Sequence, residues 1–213
     1  MVFYFDTEID GKTYHLYMGK DKYENEDLIA YGWPDDLWFH VDSLSSAHVY
    51  VRLPEGEGHL WKELPDQLIE ECCQLVKQNS IEGCKKTNVR VVYTPWANLK
   101  KTSDMEVGQV SFHSRKELKY FTVEKRNKEI LKKLYATKDE RHPDLKHEQS
   151  QRHARELRKK KKEQQQRRQQ EKLKVERKRE EKKLKTYETL QDEALMETNK
   201  HGMSVDDYED DFM

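Results

Sequence analysis

Two groups of residues in this 213-residue chain have types and spacings suited to holding a ligand. The first lies between residues 36 and 53. Two β-prone runs, 36–42 and 47–53, flank a turn at 43–46, and alternation sends successive side chains to opposite faces. Leu37, Phe39, Val41, Val49, Val51 and Leu53 share one face; Trp38, His40, His48, Tyr50 and Arg52 share the other, with Asp36 and Asp42. If the apolar set faces the core, the opposite side presents aromatic rings mixed with imidazole and guanidinium groups. That chemistry suits base stacking and phosphate contact. The alternative is that the helix expected over 65–79 covers this side and leaves the same residues as packing.

The second group is the run RKKKKEQQQRRQQ at 158–170. Arg158, Lys159, Lys160, Lys161, Lys162, Arg167 and Arg168 are dense enough to attract any polyanion, whether RNA, DNA or an acidic membrane surface. A blander reading is a solubilising helix or a nuclear-localisation signal. Smaller basic groups are Lys100 and Lys101, beside Trp96 in the loop YTPWANLKKTSD, and Lys20 and Lys22 at the start of a helix. There, amide donors and the helix dipole favour anions. Loop lysines usually only solvate; the alternative is that these form one patch with Arg90.

Other chemistries lack support. His40 and His48 have no third ligand at a suitable spacing, so no metal is expected. Cys72, Cys73 and Cys84 are an odd set without a Cys-x-x-Cys, which argues against both a disulfide framework and zinc and points to a reducing compartment. No arrangement activates a cysteine nucleophile, and there is no glycine-rich phosphate loop. The expectation is a non-catalytic protein without a cofactor.

The elements that must position these groups are legible in outline. Residues 2–5 and 12–18 read as strands around Asp10-Gly11, a hairpin signal. A short helix is expected before Gly32. Apolar residues at 68, 69, 72, 73, 75 and 76 have helical spacing. Residues 88–93, 107–112 and 118–123 read as further strands. The result is an α+β fold with a mostly antiparallel sheet and two packed helices.

From Glu124 the pattern turns helical, is interrupted at His142-Pro143-Asp144, and resumes as a long polar run. Between Leu157 and Leu173 there is no apolar residue, so a heptad seam cannot form there. The domain plan is therefore an α+β head at 1–125, a long basic helix at 126–190, coiled-coil-like in composition, and an acidic tail at 191–213 read as disordered. Charge follows this plan. Residues 150–185 carry 17 Lys+Arg against 6 Asp+Glu, whereas residues 186–213 carry 1 against 9. The tail is expected to fold back on the basic helix and compete with a polyanion. With 34% hydrophobic residues and a mean hydropathy of −1.15, part of the chain should lie outside any core.

The stretch GKDKYENEDLIAYGWPDDLWFHVDSLSSAHVYVRL at 19–53, with YTPWANLKKTSDMEVGQV at 93–110, resembles the NFACT-R family, the RNA-binding-type module of ribosome quality-control factors. Matching positions are Gly19, Asn25, Glu26, Leu28, Asp36, Leu37, Trp38, His40, His48, Val49, Lys100, Lys101 and Gly108. Family members of the large type carry Gly-Ser before His-Val; here Ser46-Ala47 stands in its place. The resemblance implies nucleic-acid binding rather than a reaction, and adds Asn25 to the candidate contacts. Expected partners are RNA or DNA, with a ribosome-associated or other protein, or an acidic membrane surface, as the alternative. The expected state is a monomer or a weak helix-mediated dimer. The N-terminus lacks the features of a signal peptide, so an intracellular, cytoplasmic location is expected, with the nucleus permitted by the basic run and peripheral membrane association left open.

Overall fold

The computed structural model describes residues 1–185. Strands β1 (Val2–Ile9) and β2 (Lys12–Gly19) form a hairpin in which Ile9 pairs with Lys12. Its two-residue turn needs positive φ at both positions, and Asp10 (52°) and Gly11 (73°) supply it. Helix α1 (Lys22–Ala30) follows, capped by Asp21, whose carboxylate accepts from the amides of Tyr23 and Glu24. Strands β3 (Asp36–Val41) and β4 (Val49–Arg52), helix α2 (Asp66–Gln78) and strand β5 (Val89–Pro95) come next. A small two-stranded ribbon, β6 (Leu99–Lys100) with β7 (Ser111–Phe112), precedes β8 (Lys119–Val123). Helix α3 (Lys128–Ala136), strand β9 (Asp139–Arg141) and helix α4 (Leu145–Lys185) complete the order.

Seven strands make one antiparallel sheet in the order β8-β5-β3-β4-β2-β1-β9. Both of its faces are buried. On one, Phe5, Leu16, Leu37, Phe39, Val41, Val49, Val51 and Val91 pack against Leu68, Cys72, Cys73, Leu75 and Val76 of α2 and Leu134 of α3. On the other, Val2, Tyr17, Trp38, Tyr50 and Val92 pack under Leu28 of α1, with Trp96, Leu99, Val110, Phe112, Leu118 and Leu145 around them. Cys72 and Cys73 are buried core residues whose thiols are pushed up by desolvation.

Residues 128–141 depart from the expected long helix. They form α3 and β9, which join the head inside a compact unit running Met1–His153. The turn out of β8 explains the break. Lys77 of α2 buries its stem and donates from Nζ to the carbonyls of Val123 (3.1 Å) and Glu124 (3.0 Å). Gln74 donates to Lys125 O and accepts from Asn127 N–H, and Asn127 then caps α3. The strand expected over 107–112 shrinks to Ser111–Phe112, because Gly108 sits at φ 84° in a turn. In the second unit, from Ala154 on, the described residues are helix throughout, and all but Glu156 are exposed.

Candidate nucleic-acid interface

The alternation expected for β3 and β4 is present: Trp38 pairs with Tyr50, and Leu37 with Val51, on opposite faces. Of the two readings of the aromatic side the packing one holds, but the expected covering helix is corrected. Trp38 is 2% exposed, His48 3% and Tyr50 0%. Helix α2 lies on the other face; the cover here is α1, the segment from Trp96 to Phe112, and the start of α4. A strand face that alternates apolar with aromatic-polar residues does not state whether a later segment will return to cover it.

Within this covered layer Trp38 stacks on His40 (centroids 5.4 Å, 2°) and meets His48 edge-on at 5.3 Å. Tyr17 stacks on Tyr50 (5.0 Å, 8°). His40 donates from Nδ1 to Val41 O at 2.6 Å. Burial lowers the pKa of His40 and takes that of His48 down to about 3, so both rings are neutral at pH 7 and contribute no charge to a phosphate. Among the described residues, no group of three His, Cys, Asp or Glu could hold a metal ion.

Arg52 is a packing residue. Its Nε donates to Asp36 Oδ1 at 2.9 Å and its Nη2 to Asp36 Oδ2 at 3.2 Å. Asp36 Oδ2 also accepts from Tyr17 OH (2.6 Å) and from Trp33 N–H (2.8 Å). Burial alone would lower the Arg52 pKa, but Tyr17 and Asp36 hold it above the ordinary arginine value. The Arg52 guanidinium lies 3.5 Å from the Trp33 ring centre, and that of Arg152, at the root of α4, lies 4.4 Å from it. Arg152 also pairs with buried Asp35, and Gln149 donates to Gly32 O at 3.2 Å. Trp33, Asp35 and Arg152 were not singled out in the sequence, because what they form is a contact between residues more than a hundred positions apart.

The lysines divide. Lys20, Lys22 and Lys100 are exposed. Lys101 is engaged: its Nζ reaches Glu26 Oε1 (2.7 Å), Glu106 O (2.7 Å) and Gln109 O (2.9 Å). Glu26 Oε1 also accepts from Gly108 N–H at 2.5 Å, and Gly108 lies against Lys22. The loop bearing Lys101 is thereby fastened to α1. Burial works against ionising Glu26, but these contacts leave its pKa below the usual carboxylate value. Asn25 is buried. Trp96 is half-buried and donates from Nε1 to Ile29 O at 2.9 Å. Arg90 does not join the Lys20–Lys22 group: it stands on β5, three strand positions from β2 and so roughly 14 Å away. It pairs with Asp42 at 3.2 Å and lies over Tyr120. Arg158, Lys159, Lys160, Lys161, Lys162, Arg167 and Arg168 are all exposed on α4. The acidic tail lies outside the described residues.

The architecture is thus an α+β head followed by a cationic helix. Residues 1–114 match the family described as NFACT protein RNA binding domain, and the chain belongs to that family. Over 209 residues it is 51% identical to Coiled-coil domain-containing protein 25 of Bos taurus, a match spanning 98% of this chain and 100% of that protein. Coiled-coil domain-containing protein 25 homolog of Dictyostelium discoideum is 54% identical over 152 residues, 71% of this chain and 72% of the homolog. The head also resembles the solved C-terminal part of the fibronectin/fibrinogen-binding protein from Streptococcus suis (TM-score 0.50, 19% identity, 62% of this chain and 48% of that one), a likeness of fold alone. Among the described residues no helix is long and apolar enough to cross a membrane.

Proposed function

We propose that this protein is a non-catalytic RNA-binding protein in which α4 supplies most of the phosphate contacts and the head adds selectivity. The observation that carries the reading is the surface of α4 from Ala154 to Lys185: 16 Lys+Arg against 6 Asp+Glu, on a helix with no apolar stripe whose residues are exposed but for Glu156. The family's description favours RNA over other polyanions. Successive residues on a helix step about 100° around its axis. The five cations at 158–162 therefore ring the helix, and a single strand contacts roughly half of them together with Arg167 or Arg168.

That geometry predicts about three or four phosphates neutralised, and hence a slope of log K against log [salt] of about −2 to −3 for single strands. The test is fluorescence anisotropy of a labelled single-stranded RNA with the full chain across a salt series. Replacing Arg158, Lys159, Lys160, Lys161, Lys162, Arg167 and Arg168 by Gln should flatten the slope by about 2 and weaken binding to all sequences alike. A slope near zero in the parent chain, or an unchanged slope in the variant, would refute this role for α4.

A further inference from the structure

Four buried polar side-chain atoms on the α1 side of the sheet have no hydrogen-bond partner: Trp38 Nε1, Tyr50 OH, His48 Nδ1 and Asn25 Oδ1. All four residues are at most 7% exposed. Buried polar groups are nearly always paired, so four unpaired atoms in one layer mark a place where polar partners belong. The remaining orphan among the described residues, Glu71 Oε2, belongs to a carboxylate whose other oxygen already accepts from Gln67 and Lys133. The four atoms offer both donors and acceptors, set among the flat faces of the Trp38–His40 and Tyr17–Tyr50 stacks. The nearby charges of Asp36 and Arg52 are already paired with each other. A layer of this kind rejects a phosphate and suits an uncharged planar group with hydrogen-bonding edges.

The cover over this layer packs through Leu99, Val110 and Phe112 but is sparsely fastened at its tip. The ribbon β6–β7 has two residue pairs, and the loop between its strands is tied to α1 through a single Glu26 carboxylate oxygen, which holds both Lys101 Nζ and Gly108 N–H. Exposed cations stand at its border: Lys100 on β6, and Lys22 against Gly108. They lie where the backbone of a strand would run if one of its bases entered beneath the ribbon.

We propose that the β6–β7 ribbon is a lid, latched by Glu26, over a site that takes one nucleobase of a single-stranded nucleic acid against Trp38, His48, Tyr50 and Asn25. This rests on the nucleic-acid reading above and deepens it. α4 holds the backbone without regard to sequence, and the covered layer reads a base. Because the site is shut in the resting head, apparent affinity for a base falls with the fraction of molecules that are open. Loosening the latch therefore strengthens base-dependent binding.

The experiment uses the full chain and two labelled oligonucleotides of equal length, one RNA and one with abasic residues throughout. Amide hydrogen exchange over residues 99–112 reports the lid, and circular dichroism reports folding. Glu26→Gln should speed exchange in 99–112 by about tenfold or more. It should tighten binding of the base-bearing strand several-fold and leave the abasic strand unchanged. Tyr50→Phe added to Glu26→Gln should return the base-bearing strand towards the abasic value. Lys101→Met, which breaks the same latch from the other side, serves if Glu26→Gln fails to fold and should give the same pattern. Faster exchange with equal binding of both strands would overturn the proposal, leaving the layer as a site for buried water. Unchanged exchange in both latch variants would overturn it too. If instead neither strand binds the parent chain, the nucleic-acid reading itself falls.

Discussion

Asp36→Ala tests whether the Asp36–Arg52 pair is structural. The Asp36 side chain is fully buried, and its two oxygens accept two hydrogen bonds from Arg52, one from Tyr17 OH and one from the Trp33 amide. Removing the carboxylate leaves Arg52 without its counter-charge in a site where its side chain is only 22% exposed. Breaking one partner out of a buried pair costs about 3–5 kcal/mol. The residual exposure of Arg52 and its stacking on Trp33 favour the lower end. In a unit of this size each kcal/mol moves Tm by roughly 2–4 °C, so a drop of roughly 6–20 °C is expected. Urea unfolding followed by circular dichroism measures the loss directly. The double variant Asp36→Ala with Arg52→Met removes both charges. It should be less destabilised than the sum of the single changes, with a coupling of about 1.5 kcal/mol or more. A loss below about 1 kcal/mol for Asp36→Ala, or an additive cycle, would refute the reasoning. Arg52→Met alone should leave the salt slope of RNA binding unchanged, because this guanidinium faces protein.

Three further outcomes follow from the geometry. His48 is held neutral by burial with a pKa of about 3, so the unfolded chain takes up a proton near pH 6.5 that the folded chain refuses. Stability falls as pH drops below about 6.5, by about 2 kcal/mol at pH 5, and His48→Gln should flatten that dependence in urea titrations at pH 7 and 5. A Cβ on Gly32 would lie 2.2 Å from Trp96 Nε1; Gly32→Ala should therefore cost about 1–3 kcal/mol and lower Tm in a thermal melt. Asp35 holds Arg152 and accepts from Gly58 N–H. Asp35→Ala should speed hydrogen exchange in residues 145–152 while exchange in the strands stays slow.

Much of this structure was legible before any coordinates. The Asp10-Gly11 turn, the period-two alternation of β3 and β4 and the helical spacing of α2 each carry a local signal, and each element stands where that signal put it. The elements that escaped are those fixed from a distance. β9 is three charged residues held by the free edge of β1, with Arg141 over Tyr4 and Lys138 over Phe3. Its own sequence, embedded in a helical pattern, gives no reason to leave the helix. The aromatic face was read correctly as a face, yet its burial depends on residues 96–112 and 145 returning over it. Glu26 was noticed only as a position shared with the family; its work as a latch needed the loop at 101–109 to be placed against α1.

On the proposed function, the placement of charge separates affinity from selectivity in this chain. In the head half of the six cations that sequence alone would assign to a ligand are engaged by the fold: Arg52 on Asp36, Lys101 on Glu26 and two carbonyls, Arg90 on Asp42, while Lys20, Lys22 and Lys100 stay exposed. Substituting Arg52, whose partner Asp36 is fully buried, would disturb folding first, and any loss of binding would be a consequence. On α4 the reverse holds. Residues 158–162, 167 and 168 are exposed and lie outside the compact unit that holds the head, so their replacement should cost the head little stability. A purely electrostatic arm cannot tell one strand from another, because phosphate contacts carry no sequence information. Whatever preference the protein shows must therefore come from the head, where the neutral polar layer beneath the β6–β7 ribbon has the chemistry to read a base. Affinity should consequently track salt and α4 charge, whereas preference between base-bearing and abasic strands should track Glu26 and Tyr50, and the two should vary independently.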